Sequence, residues 1–495
     1  MVIKPETIMR LSFLFFFLII LLFLSCNKGT EFILPENSFN KTSITSIGAG
    51  NATLQGSITF TDSTDNYSHH GFCWKFKYDY NSAIITSAPT FPYSNIPTTN
   101  DSLINLGVLN TSKPFTATLN NLLPGATYVA RPYALNSNTL VYGDTFSFTV
   151  PSIAFNTMNA PFGRQNAALT TLGGKAYLMG GDSAGIVKND FWIFNEGTNQ
   201  WQRLPAFPGG ITTMPAMFAD DTTVYAGIGE TNQPINGGQN EFDLWSYNPD
   251  SNSWSSKISA NTINGSSVGG PVSYYFSIAG NGYANASYDF SEYNPLNNKW
   301  SSATSFSIAT NNHTIYYTIS TNNLSINNKG YVLYSTNLSN IAETPVLAVS
   351  AYNPISQSWS SYDTLVNFYN TTNTTPITPL YAWPVNNSIY MLLYNYPVYS
   401  YGSNLNNSST NQAIVVSVSN PLIPIVTTVT ALLEYNTVTN KTSVKAINPV
   451  GLGTLGSNGV AFALNGTCYV GLGSISTSNN STSFSYPTTI YSFTP

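Results

Sequence analysis

Residues able to do acid–base or ligand chemistry are few and scattered in this chain. Its histidines are His69, His70 and His313, and its cysteines are Cys26, Cys73 and Cys468. There is no His-Glu-x-x-His, no Cys-x-x-Cys and no glycine-rich phosphate loop, so metal, thiol and nucleotide chemistry lack the spacing each requires. Acid–base work on a sugar needs a positioned carboxylate or an arginine near it. The charged candidates are Arg164, Glu230 and His313. Each also has a plain structural reading: a strand-end arginine bracing the fold, a solvated loop acid, a packing imidazole. Binding by stacking needs no charge. Trp383 precedes Tyr394, Tyr396, Tyr399 and Tyr401, and aromatic faces beside amides and hydroxyls suit sugars or peptides. The competing reading packs the same tyrosines onto the body of the fold. No cofactor and no metal is expected.

Composition narrows the partners. Charged residues make up 8% of the 495, against about 25% in ordinary soluble proteins. Asn, Ser, Thr and Tyr must therefore form the surface, groups that hydrogen-bond without charge. A net charge of −5 with 17 basic residues gives no basic patch, which speaks against nucleic acid and against anionic membrane surfaces.

The elements that would position these residues are announced by a repeat. An aromatic–Asn pair is followed by a Trp six residues after the Asn at Phe194-Asn195…Trp201, Tyr247-Asn248…Trp254, Tyr293-Asn294…Trp300 and Tyr352-Asn353…Trp359. Tyr435-Asn436 keeps the spacing and puts Thr442 at the Trp position. Each copy reads as a β-hairpin whose polar turn uses Asn and Pro for their turn geometry, with the Trp filling an inter-sheet gap. Two further strands precede each hairpin, and no helical period occurs anywhere. Four antiparallel strands per unit argue for the blades of a β-propeller. Six units fit between Ile153 and Pro495; a seventh would have to hide in the long fifth region. The sixth lacks a fourth strand, and Ile153–Met158 is the segment expected to supply it. Long loops, expected at 182–188, 231–239, 336–346, 395–430 and 474–487, share one face, and short turns share the other. The N-terminal segment would then approach from the short-turn side.

The first unit, with Arg164, Gly180-Gly181, Trp192 and Trp201, resembles a kelch repeat; later units keep the aromatic–Asn…Trp part. Kelch-type propellers include copper oxidases of the galactose-oxidase kind and sialic-acid mutarotases. The copper site wants several His ligands with a Tyr–Cys pair, and a propeller holding His313 and Cys468 as its sole His and Cys excludes it.

Ahead of the propeller, residues 42–150 show period-2 strands with turn signals, as in a small sandwich. Gly71-Phe72-Cys73-Trp74 and Leu122–Ala134 resemble fibronectin type III-like modules of Bacteroidota surface proteins. That resemblance implies a tyrosine corner, with Tyr128 bonded to the backbone upstream. Before it, Lys4 and Arg10 precede the apolar run Leu11–Leu24, which reads as a signal-peptide core. Leu22-Phe23-Leu24-Ser25-Cys26 resembles a bacterial lipobox, implying cleavage after residue 25 and lipid on Cys26. Cys73 and Cys468 then remain as two buried free thiols.

The expected layout is thus a signal peptide over 1–25, a tether over 26–41, a fibronectin-like sandwich over 42–150 and a six-bladed kelch-like propeller over 151–495. The expected role is that of an outer-membrane, surface-exposed lipoprotein, held by its N-terminal lipid, that binds a glycan or a surface protein without catalysis. The alternatives are a carbohydrate-active enzyme of mutarotase, epimerase or hydrolase type at the propeller mouth, and a structural envelope component.

Overall fold

The computed structural model describes residues 39–60, 66–77, 96–136, 139–210, 212–231, 239–257, 259, 272–286, 289–306, 313–318, 323–338, 346–361, 363–367, 379–401, 415–417, 425–477 and 483–495. Cys26 and the apolar run before it lie outside these residues. Every described element is a strand.

The N-terminal unit has two sheets. Ser43–Gly48, Asn51–Gly56 and Phe115–Leu119 form one; His69–Phe76, Ser102–Asn105, Thr127–Leu135, Leu140–Tyr142 and Phe146–Thr149 form the other. Alternation such as buried Phe115, Ala117 and Leu119 with exposed residues between them supplies the shared core. The Tyr128 hydroxyl accepts the Leu123 N–H at 3.0 Å, the contact a tyrosine corner requires. Cys73 and Cys468 are both buried and unpaired.

Six sheets follow, each built on four antiparallel strands, with two further strands in blade 4 and one in blade 5. Blade 1 comprises Ala168–Leu172, Lys175–Met179, Phe191–Asn195 and Gln200–Leu204; blade 2 Ala216–Ala219, Val224–Thr231, Gln239–Asn248 and Ser253–Ser256. Blade 3 comprises Val272–Ile278, Asn281–Ala286, Asp289–Asn294 and Lys299–Ser302. Blade 4 has His313–Thr318, Lys329–Leu338, Val346–Asn353 and Ser358–Trp359, with Ser325–Ile326 and Asp363–Asn367 added. Blade 5 has Pro379–Val385, Ser388–Tyr401, Ile425–Asn436 and Lys441–Ile447. Blade 6 has Val460–Leu464, Thr467–Gly471 and Thr489–Phe493, and takes Asn156–Asn159 as its outer strand, Ser492 opposite Asn156 and Thr489 opposite Asn159. Pairing the two ends of the ring in one sheet covers an edge that would otherwise stand open.

The repeat asparagine is explained by its turn. Asn195, Asn248, Asn294, Asn353 and Asn436 each accept, through Oδ1, the N–H two residues on, at 2.8 to 3.1 Å. This is the Asx turn that Asn forms most readily. A left-handed residue closes each hairpin: Asn199, Asn252, Asn298, Gln357 and Asn440, with φ between 48° and 53°. The tryptophans wedge neighbouring blades apart. Trp254 of blade 2 packs on Phe191 of blade 1 and donates Nε1–H to Pro205 O; Trp359 of blade 4 packs on Phe290 of blade 3 and donates to Thr304 O.

Two features differ from the sequence expectation. The region after Asn395 is no separate loop: strands Ser388–Tyr401 and Ile425–Asn436 simply continue past the level of the blade, with Val415–Ser417 parallel to the former. The sandwich also does not hang from the short-turn face. Ile447, the last residue of the blade 5 outer strand, donates its N–H to Pro124 O and accepts from Ser152 Oγ. That strand ends on the long-loop side, so the sandwich sits on the rim. Gly125 makes the approach possible, since a Cβ there would lie 1.8 Å from Ile447 O. The linker then runs beside Val450, with Phe155 N–H on Val450 O, before it enters its strand from the other side.

Candidate functional site

Three blades meet the long-loop mouth of the central channel in the same way. In blades 1, 2 and 6 a left-handed residue sits two positions before the inner strand: Asn166 (φ 56°), Met214 (φ 48°) and Asn458 (φ 56°). Their backbones form a relay around the mouth. Asn166 N–H binds Asn458 O, Met214 N–H binds Asn166 O, and Val272 N–H of blade 3 binds Met214 O, at 2.8 to 3.1 Å. One residue earlier, Gln165, Thr213 and Ser457 each exchange two backbone hydrogen bonds with Asp182, Glu230 and Ser474 in turn.

Side chains knit these positions across the blades. Ser474 Oγ donates to Gln165 Oε1 at 2.6 Å; Gln165 Nε2 donates to Asp182 Oδ2 at 3.0 Å. Asn166 Nδ2 and Thr213 Oγ1 donate to Asp182 Oδ1 at 2.8 and 3.4 Å. The Asp182 carboxylate is therefore ringed by amides and a hydroxyl, all uncharged. The strand ends here are strained. Besides Met214, Ile228 (φ 50°) and Leu472 (φ 61°) hold the left-handed conformation where blade 1 has Gly180. Such placements cost on the order of 1–3 kcal/mol each, and they cluster at working sites. The Gly180-Gly181 geometry thus persists in blade 6 at Leu472-Gly473, and its first left-handed position alone persists in blade 2 at Ile228.

Below the mouth the channel is closed. Tyr275 of blade 3 reaches blade 1, which is not its neighbour, so its side chain crosses the channel. Its hydroxyl accepts Leu169 N–H at 2.8 Å and donates to Leu169 O at 3.0 Å. Burial drives the Tyr275 hydroxyl well above the usual phenol range. Asn323, at the break in the blade 4 inner strand, donates to Thr170 Oγ1 at 2.5 Å and accepts Ser277 N–H. The result is a cup with a polar rim. Taller walls flank it where blades 2, 4 and 5 extend beyond the ring, and small hairpins, Asp182–Ser183 with Ile186–Val187 and Ile475–Ser476 with Phe484–Ser485, stand over blades 1 and 6.

The residues expected from sequence fare unequally. Arg164 is 2% exposed: Nη1 binds Gly180 O at 2.7 Å and Asp190 Oδ1 at 2.6 Å, and Nη2 binds Asp190 Oδ2 at 2.7 Å, while the buried Nε has no hydrogen-bond partner among the described residues. It also stacks on Phe162. Asp190 takes a further bond from Trp192 Nε1. Burial works against the Asp190 charge, but the Arg164 hydrogen bonds and charge outweigh it and hold the carboxyl below its ordinary value. Arg164 is a brace, with no group turned to a ligand. Trp383 is likewise interior, at 0% exposure, with Nε1 on Tyr469 O across the blade 5–6 gap. Tyr394 is half-buried; its hydroxyl accepts Leu455 N–H and donates to Gly453 O, tying the blade 5 extension to the next loop. Glu230 lies at the mouth, in the position equivalent to Asp182. His313 opens the blade 4 inner strand opposite Leu338, well toward the long-loop side. Tyr396, Tyr399 and Tyr401 lie on the extended strand, and their side chains fall outside the described residues.

Gln165, Asn166, Asp182, Thr213 and Ser474 were not singled out by sequence. The signal existed: the first two follow Arg164, and Asp182 follows Gly180-Gly181. Among the described residues no group of His, Cys, Asp and Glu is placed to hold a metal.

A family described as the Kelch motif matches residues 163–208, the span from Gly163 through blade 1. No curated protein matches the chain. A solved structure entitled "Structure of YjhT" is similar at 13% identity and TM-score 0.38, over 63% of this chain and 91% of that one. At that level the likeness says nothing about function. With six sheets, each built on four antiparallel strands, around a channel that Tyr275 crosses, and a kelch motif in the first, the chain is an all-β protein built as a kelch-like β-propeller behind a small N-terminal sandwich.

Proposed function

We propose that this protein is a non-catalytic lipoprotein of the cell envelope, attached through lipid on Cys26, whose propeller captures a neutral glycan at its long-loop mouth. The observation that carries this is the rim itself. Asp182 is surrounded by Gln165, Asn166 and Thr213, with Ser474 behind them. Amides, hydroxyls and a carboxylate with no cation among them are complementary to the hydroxyls of an uncharged sugar, and the tall strand extensions supply walls. A surface protein is the other partner of the same polar character.

An enzymatic reading draws on one fact: Asp182 and Glu230 occupy equivalent places in adjacent blades. Asp182 is already occupied by three side-chain donors, which argues for holding rather than proton transfer. The two readings separate in a single experiment. Purified protein is titrated on a glycan array and then incubated with every glycan it retains. Saturable binding that weakens about tenfold in Asp182→Ala, with the glycan recovered unchanged, supports capture. Hydrolysis or epimerisation that Glu230→Ala abolishes would replace it with the enzyme. Neither binding nor turnover would leave the structural envelope component.

A further inference from the structure

The short-turn face carries a pattern the fold does not require. In blades 1 to 5 the residue two after the repeat asparagine stands at the turn tip: Gly197, Asp250, Leu296, Ile355 and Val438. All five donate their N–H to that asparagine in the same way, so Gly and Asp serve the turn as well as an aliphatic residue does. Yet blades 3, 4 and 5 present Leu296 at 98%, Ile355 at 92% and Val438 at 67% exposure. A lone exposed aliphatic residue is ordinary; three equivalent ones on adjoining blades form an arc.

Charge follows the same division. Beside the short turns of blades 3 to 5 lie exposed Lys299, Lys329 and Lys441, and the acids nearest them, Glu292 and Glu434, stand behind the turns, bonded to Asn281 and Ser388. The turns of blades 1 and 2 hold Glu196, Asp220, Asp221 and Asp250 against the single Lys175. The low overall charge averages over this segregation.

We propose that the short-turn half-face of blades 3 to 5 rests on an anionic lipid bilayer, with Leu296, Ile355 and Val438 entering the interface and the three lysines meeting lipid phosphates. Equivalent turn positions in a ring lie at one level, which suits a flat surface. Apolar tips flanked by lysines combine the two attractions that hold peripheral proteins at such a surface. A second copy suits the patch poorly: face to face, it would set lysine against lysine, or the aliphatic tips against Asp220, Asp221 and Asp250. The inference rests on the membrane attachment at Cys26 proposed above. From Cys26 to Phe39, the first described residue, the chain reaches about 45 Å at full extension. Lipid at Cys26 would hold the whole chain near the bilayer, so a weak contact suffices, although the sandwich that carries the tether seats on the long-loop rim. The long-loop mouth then points away from the lipid.

The test uses the full chain in vesicles of zwitterionic lipid with or without phosphatidylglycerol. A polarity-sensitive dye is placed on Ile355→Cys or, as control, on Asp250→Cys; Cys73 and Cys468 are buried. With phosphatidylglycerol, the dye at position 355 is expected to shift to the blue and be quenched by bilayer-borne nitroxides, while that at 250 keeps aqueous emission. Lys299→Glu, Lys329→Glu and Lys441→Glu together should cut the quenched fraction at least about tenfold. Flotation and peptide mass of Cys26 in the same samples report the anchor separately. A floated protein whose 355 dye stays aqueous, or whose quenching ignores the lysine changes, overturns the bilayer contact alone. A protein that neither floats nor carries lipid overturns the attachment and this contact with it. A concentration-dependent shift without vesicles would identify a second copy as the occupant and overturn it as well.

Discussion

Blades 1 and 5 solve the same packing problem with different residues. Blade 1 follows the repeat: Trp201 packs against Phe194 and Phe462 of the preceding sheet, and the Arg164–Asp190 pair clamps the strand ends beside Gly180. Blade 5 has Thr442 where that Trp would be, opposite Tyr435. Its two gaps are closed from elsewhere. Toward blade 4, the Tyr435 hydroxyl donates to Asp363 at 2.6 Å; toward blade 6, Trp383 on the inner strand meets Phe493 and bonds Tyr469 O. A propeller needs its wedges filled, and the strand that supplies the filler is free to change.

The comparison breaks most sharply at Trp383. Trp383→Ala removes a wholly buried indole and its hydrogen bond to Tyr469 O, and should cost about 4 kcal/mol. Denaturant midpoints check it, against Trp254→Ala, whose indole is partly exposed and should cost less. Next comes the clamp. Asp190→Ala leaves the Arg164 guanidinium buried without its partner and should cost about 3 kcal/mol. The pair also sets an acid sensitivity. Because the folded carboxyl lies below its ordinary value of 3.8, its contribution is complete above that value and is lost as pH falls through the lower folded one. Wild type should be more stable than Asp190→Asn above that window, and acid titration should bring the two curves together only within it; an offset that does not change with pH would remove the clamp from the account. The smallest effect sharpens the contrast. Thr442 Oγ1 is buried and has no hydrogen-bond partner among the described residues. Thr442→Val should therefore stabilise by about 1 kcal/mol, seen as a raised thermal midpoint. An unchanged or lower midpoint would mean that the hydroxyl is satisfied.

Legibility in the sequence tracked how local the cause was. The Asn turns rest on residues within a few positions of one another, so spacing alone exposes them; the repeated Asn-to-Trp interval marks the tryptophans, and the fibronectin-like resemblance implies the Tyr128 contact. Gly180-Gly181 is different. Its first left-handed position recurs at Ile228 and Leu472, bulky residues in that region, where composition gives no cue. Arg164 and Trp383 carried both a ligand and a structural reading, because an exposed and a buried side chain of one type look alike in a string of letters. The rim of the mouth was missed for the same reason: Gln165, Asp182, Thr213 and Ser474 are ordinary polar residues until three blades bring them together.

By itself the chain determined a stack of equivalent antiparallel sheets, since hydrophobic alternation, turn chemistry and a fixed Asn-to-Trp interval are short-range properties that every unit must satisfy alone. Only the tertiary structure decided that Tyr275 and Asn323 stopper the channel, that the sandwich seats on the rim at Ile447, and that three aliphatic tips fall on the lysine side. Those outcomes depend on which blades become neighbours around a closed ring, a relation between residues a hundred or more positions apart that no local spacing encodes.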